Sequence, residues 1–163
     1  RGVLSFIRTN LDEKELSKIN YAELTDNLTL KTHEKNGKRI VCVSICSDNY
    51  DAKPLIELKK FDASKVMDNL QLDPVYKFHI KSKGTLEGAD LIRLIPNSRP
   101  EDKRALGYNM LMKYPKPKGK VLLEGTVAAQ LMEVVVNFAQ EFNVEEVYVF
   151  SRPISLAKYF SKP

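Results

Sequence analysis

The stretch from Thr126 to Phe150 constrains the fold more than any other, because an apolar helix runs straight into an apolar strand. The segment TVAAQLMEVVVNFAQEFN puts Val127, Leu131, Val134, Val135, Phe138 and Phe142 at helical spacing, which makes one wide apolar face. Ala128, Met132 and Val136 widen that face and leave Gln130, Glu133, Asn137, Gln140 and Glu141 for water. Val147-Tyr148-Val149-Phe150 has no polar alternation, so it reads as a strand covered on both sides.

Upstream, Val3–Arg8 reads as a first strand. A helix capped by Asn10 follows, with Leu16 and Ile19 inward and an end near Thr25–Asn27. Asn36-Gly37 lies between two alternating runs, the signal for a type I′ hairpin over Leu28–Ser47. In that register Thr32 faces Val41, Leu30 faces Val43 and Leu28 faces Ile45. A strand over Leu55–Phe61 and a short helix from Asp62 through Val66, Met67 and Leu70 come next. Val75–Lys83 alternates apolar with basic residues and reads as a strand. Thr85–Ile95 and Ser98–Lys113 read as helices, the second from a capping box at Ser98 and Glu101. Val121–Leu123 is a short strand before the central helix. A last helical turn over Ile154–Phe160 follows the break at Ser151-Arg152-Pro153. The expected fold is therefore α+β. It has a mixed sheet, an N-terminal antiparallel hairpin, and a C-terminal β-α-β unit around a buried helix at 126–143, within a single globular domain over 1–163. Were the strands at 121–123 and 146–150 parallel, their crossover would be right-handed.

The chain has 163 residues, enough for one sizeable core. No apolar run reaches the roughly 20 residues that span a bilayer, so no membrane partner is expected. Cys42 and Cys46, four apart on a strand, stand about 13 Å apart by strand rise, too far to bridge. Two free thiols suit a reducing compartment, and a cytoplasmic location is expected. The chain begins Arg1-Gly2 without methionine, as a piece of a longer parent chain would.

Charge is the strongest functional asymmetry. Net charge is +5, yet residues 77–120 alone carry 11 basic and 4 acidic side chains. Lys77, Lys81 and Lys83 project from one predicted strand face, with His79 placed to stack on a base. Lys113, Lys116, Lys118 and Lys120 crowd the loop YPKPKGK. Such a surface neutralises phosphates and binds nucleic acid in a salt-dependent way. Gly125 and Thr126, at the turn into the central helix, form a second candidate, an anion site at a helix N-terminus, although Glu124 opposes it. No RNP aromatic pair, GXXG loop, zinc-finger spacing or P-loop is present.

Three further patterns bear on chemistry. Thr126–Asn143, Val144–Phe150 and Ile154–Phe160, with Ala157 and Tyr159, resemble the acetyl-CoA-binding half of GNAT-type N-acetyltransferases. That resemblance implies a cofactor pyrophosphate at the helix N-terminus, although Leu122 and Val127 stand where the family has Arg/Gln and Gly/Ala. Asp48 or Asp51 followed by Leu55-Ile56-Glu57-Leu58-Lys59 resembles the PD-(D/E)xK nucleases, whose carboxylates hold Mg²⁺; Glu15 is the upstream acid. Lys31, His33, Cys42 and Cys46 share the outer face of the predicted hairpin, with His33 diagonal to Cys42.

The leading expectation is a non-enzymatic, nucleic-acid-associated accessory or binding domain using residues 77–120. The alternatives are an enzyme, either acyltransferase or nuclease, and a protein–protein adaptor domain of a larger chain. The sequence names no cofactor.

Overall fold

The computed structural model describes residues 2–47, 66–154 and 156. It is a small α+β domain with a five-stranded mixed sheet. In chain order the elements are β1 (Gly2–Thr9), α1 (Glu13–Leu16), α2 (Tyr21–Thr25), β2 (Arg39–Ser47), α3 (Val66–Leu70), α4 (Pro74–Ile80), β3 (Asp90–Ile95), β4 (Asn109–Tyr114), α5 (Val127–Glu141) and β5 (Glu146–Ser151). The strands lie in the order β1-β2-β5-β4-β3. Among the described residues β2 and β5 are parallel neighbours and the other adjacent pairs are antiparallel. Among the described residues no helix is long and apolar enough to cross a membrane.

Strand alternation sends side chains to two different cores. Ile40, Cys42, Met110, Met112, Tyr114, Val147 and Val149 face α5, with α3 and α4 completing that layer. Ile7, Val41, Val43, Leu111, Tyr148 and Phe150 face the other way, under Leu16 of α1 and Tyr21 and Leu24 of α2. The apolar run at 147–150 is thus covered on both sides, as its composition predicts.

The central helix forms where expected. Thr126 is its N-cap and accepts from Ala129 N at 3.3 Å. At the other end Asn143 takes a left-handed φ of 52°. Asn143 N then bonds Gln140 O and Val144 N bonds Ala139 O, a Schellman stop. Its inward face differs from the predicted one. Ala129, Met132, Val135, Val136 and Ala139 are buried, whereas Val127, Val134 and Phe142 are 40, 65 and 50% exposed. Apolar residues ring almost the whole helix, so periodicity alone does not choose a side. The alanines let the helix lie close to the strands, and the bulkier stripe turns outward. Phe138 reaches the sheet edge, 5.5 Å from the ring of Phe6. Thr126→Ala is expected to cost about 1 kcal/mol, the usual value of a lost N-cap, seen as a lower urea midpoint with an unchanged slope.

Several expected elements are replaced by others. The hairpin around Asn36-Gly37 does not form: β2 pairs with β1, Ile7 opposite Val41 and Leu4 opposite Ile45. Asp26, Asn27, Leu28 and Leu30 all have positive φ, which a strand cannot accommodate. Gly37 is buried because the end of β1 presses on it; a Cβ there would meet Thr9 N at 2.3 Å. His33 is exposed and accepts from Arg8 N, while Cys42 is a buried thiol under α5, so the two share no face. The predicted N-terminal helix is two short ones, each closed by a capping box, at Asp12/Glu15 and Asn20/Glu23.

Val75–Lys83 is not a strand. Asp73, fully buried, caps α4 by accepting from Val75 N and Tyr76 N, and Pro74 opens the first turn. Asp73 also accepts from Ile154 N, tying the segment after β5 to α4. The predicted helices at 85–95 and 98–113 contain β3 and β4, whose apolar runs are long enough for either state. Val121–Leu123 joins no ladder. Asn137 brackets Val121 N and O, and Glu133 Oε2 accepts from Leu123 N, so this stretch is strapped along α5. The strands flanking α5 are therefore β4 and β5, which are antiparallel neighbours; the parallel crossover does not arise. The segments 48–65 and 157–163, with the ExK pattern and most of the last helical turn, lie outside the described residues.

Candidate functional site

The eight basic-region residues separate into three groups. Lys113 points to the α1 side of the sheet, opposite α4 and α5, because it alternates with Met112 and Tyr114 along β4. Its Nζ is 2.5 Å from Glu146 Oε1 and 3.4 Å from Glu13 Oε2. Arg39 Nε lies 2.6 Å from Glu146 Oε2, and the Tyr148 hydroxyl donates to both acids at 3.1 Å. This ionic network joins α1, β2, β4 and β5. The hydrogen bond from Lys113 to Glu146 holds the ammonium well above its ordinary pKa. Lys113 is therefore occupied within the fold.

His79 and Lys83 turn inward. His79 is 1% exposed, with Nδ1 2.9 Å from the Tyr114 hydroxyl and its ring edge-on to Phe78 and Tyr114. Burial, reinforced by the charge of Lys83, pushes its pKa down to about 3, so the ring is neutral across the physiological range. It presents no face for a base to stack on. Lys83 Nζ donates to Phe78 O and, at 2.9 Å, to Lys81 O, and it lies 4.2 Å over the Phe78 ring. It thus caps the carbonyl end of α4. Burial and then Lys81 lower its pKa to about 8.

The third group faces solvent. Lys81, Lys116, Lys118 and Lys120 are exposed, and Lys77 is half-buried on α4, one turn from Lys81. The loop carrying Lys116, Lys118 and Lys120 is pinned to α5 by Gln140 Nε2, which donates to Gly119 O at 2.9 Å. Gly84 packs against Leu122: a Cβ there would stand 2.7 Å from Leu122 O. The turn ending α4 and the chain following the lysine loop are therefore adjacent. Glu87 and Glu124, also exposed, flank them with opposite charge.

Gly125 has φ 106° with open space where a side chain would be. The Thr126 hydroxyl is used by the helix itself, as the cap of α5. Among the described residues no three His, Cys, Asp or Glu side chains gather closely enough to hold a metal ion.

Arg99 and Arg152, which no binding motif marks, line one cavity at the end of the sheet. The signal was present: Ser-Arg-Pro occurs twice, at 98–100 and 151–153, each time just beyond an apolar strand. Comparison with protein-family models, with curated proteins and with solved structures found no match to this chain.

Proposed function

We propose that the chain is a nucleic-acid-associated binding domain, non-enzymatic, whose contact surface is Lys77, Lys81, Lys116, Lys118 and Lys120. The observation that supports this reading is the packing of Gly84 on Leu122, which brings the end of α4 beside the lysine loop. On this reading two basic segments more than 30 residues apart in sequence act as one exposed surface. Lys113, Lys83 and His79 drop out, because their charges or rings are used inside the fold. Without base-reading groups on this surface, binding is to the phosphate backbone and is indifferent to sequence. Gly125 and Thr126, at the end of the same segment, extend the surface toward α5.

The test is binding of a labelled oligonucleotide, single-stranded and duplex, at several salt concentrations. About four neutralised phosphates predict a log–log salt slope near −3.6 for duplex. Lys118→Glu with Lys120→Glu is expected to flatten that slope by about two phosphates' worth, whereas Lys113→Gln leaves it unchanged. A slope near zero, or no binding even at low salt, removes the reading.

A further inference from the structure

β3 and β5 both run antiparallel to β4, and β2 runs parallel to β5, so these three strands end at the same edge of the sheet. A cavity of about 450 Å³ opens there, within the range of small-molecule sites. The two Ser-Arg-Pro segments deliver Arg99 and Arg152 to it. The residue before a proline is disfavoured from helical geometry, so neither arginine begins a helical turn there.

Arg99 is held by a chain of side chains. Its Nε donates to Asn109 Oδ1 at 3.1 Å, and Asn109 Nδ2 donates to Ser98 Oγ at 3.1 Å. Ser98 and Asn109 are both buried. The guanidinium lies over the Tyr21 ring, 3.2 Å from its centroid. Tyr21 is fixed in turn, its hydroxyl donating to Val43 O and its backbone N to Ser98 Oγ, each at 3.1 Å. With Nε engaged by Asn109, the rest of the guanidinium meets Tyr21 and, among the described residues, no carboxylate.

Arg152 Nη1 is 2.6 Å from Asp102 Oδ2. No carboxylate among the described residues lies within ion-pair distance of Arg99, a half-buried cation that ordinarily has a partner. Burial lowers its pKa, with a smaller push from Arg152, while Tyr21 and Asp102 offset part of that shift. Behind the wall, the buried Asp73 accepts from the backbone of two lining residues, Val75 and Ile154, and so is turned away from Arg99 toward those amides. The remaining wall is apolar or neutral: Val75, Phe78, Ile154 and the uncharged His79. Ala128, from the first turn of α5, closes one side.

We propose that this cavity binds a small organic carboxylate with an apolar body, its two oxygens taken by the Nη edge of Arg99. The planar fork of a guanidinium with no carboxylate partner matches a carboxylate bidentately. This site does not depend on the lysine surface.

The experiment is an NMR titration of the full chain with benzoate and hexanoate, with benzamide and phenyl phosphate as comparisons. The carboxylates are expected to give saturable shifts at Ser44, Ser151 and Arg99, with benzamide about tenfold weaker or more for want of charge. Arg99→Lys is expected to weaken benzoate by about tenfold or more, since lysine keeps the charge and loses the fork. Ala128→Glu places an acid in the cavity wall at a helix N-terminus, where it favours folding. It is expected to abolish benzoate binding, and it decides the question should Arg99→Lys disturb the fold. Absence of a saturable shift with either carboxylate overturns the proposal. So does benzamide or phenyl phosphate binding as tightly as benzoate, or unchanged benzoate affinity in Ala128→Glu.

Discussion

Replacing Gly88 by alanine is expected to lower the unfolding free energy by about 3 kcal/mol or more, at the upper end for overpacking. A Cβ at this position would stand 1.8 Å from Ile80 O and 2.5 Å from Ile80 C, which are backbone atoms that no rotamer change can move. The chain runs this close because Ala89 N donates to His79 O at 2.8 Å, joining the approach to β3 to the last turn of α4. Relief requires α4 and β3 to separate, which opens the buried contacts of Leu86 and Ala89. Urea unfolding followed by circular dichroism reads the effect as a lower midpoint. A midpoint equal to that of the parent protein would show that the two segments are not packed as described.

Glu146→Ala is expected to cost about 2–3 kcal/mol, toward the lower end for a broken ion pair because its side chain is partly exposed. The alanine would strand Arg39 and Lys113 at once and leave the Tyr148 hydroxyl with Glu13 alone. Burial by itself would raise the Glu146 pKa. The hydrogen bonds from Lys113 and Arg39 outweigh it and hold the carboxyl below its ordinary value of 4.5. A depressed acid contributes stability that is complete above the unfolded-state value and is lost as pH falls through the lower folded-state value. The gap between parent and variant should therefore stay constant near neutrality and shrink from about pH 5 downward. On the alkaline side Lys113, whose pKa is raised, keeps its contribution below its ordinary 10.5 and loses it only above. A gap that is flat from about pH 6 to about pH 3 would mean that Glu146 is not the hub of the network.

How far the sequence disclosed this molecule depends on which forces decide each segment. Thr126 with its apolar run, and the unbroken Val147–Phe150, declare helix and strand because cap and burial agree there. β1 was legible from the weak alternation over Val3–Arg8. Asn36-Gly37 misled because its flanks alternate well, while the stronger partner for β2 lay thirty residues upstream, in β1. Asp73-Pro74 did carry a helix signal, outweighed in the reading by the alternation of Tyr76, Phe78 and Ile80. β3 and β4 were lost to helices because their apolar residues, Leu91-Ile92 and Leu94-Ile95 or Met110-Leu111-Met112, fit both periods, and tertiary pairing chooses between them.

The basic surface was legible as composition but not as geometry. Lys113 and Lys116 are neighbours in sequence, yet one is tied into the network beneath α1 and the other meets solvent. No charge count separates them. Arg99 lay within the basic region but was overshadowed by its lysines, and Arg152 lay outside it. Their convergence follows from strand direction, which only the sheet topology reveals.

The place of β5 in the sheet has a consequence for how the chain is assembled. It is the last described strand in sequence and the middle one in space, and it alone joins the β1–β2 pair to the β3–β4 pair. Each of those pairs alone is a two-stranded ribbon, which is marginal in water. The contact that unites them, Arg39 with Glu146, spans 107 residues. Folding therefore waits on a long loop closure, and the sheet cannot be completed during synthesis until residues 146–151 have emerged. Until then β2 and β4 each keep an open edge. A ribosome paused short of Glu146 holds out two unsatisfied ladders that β5, and before it any other strand, can occupy.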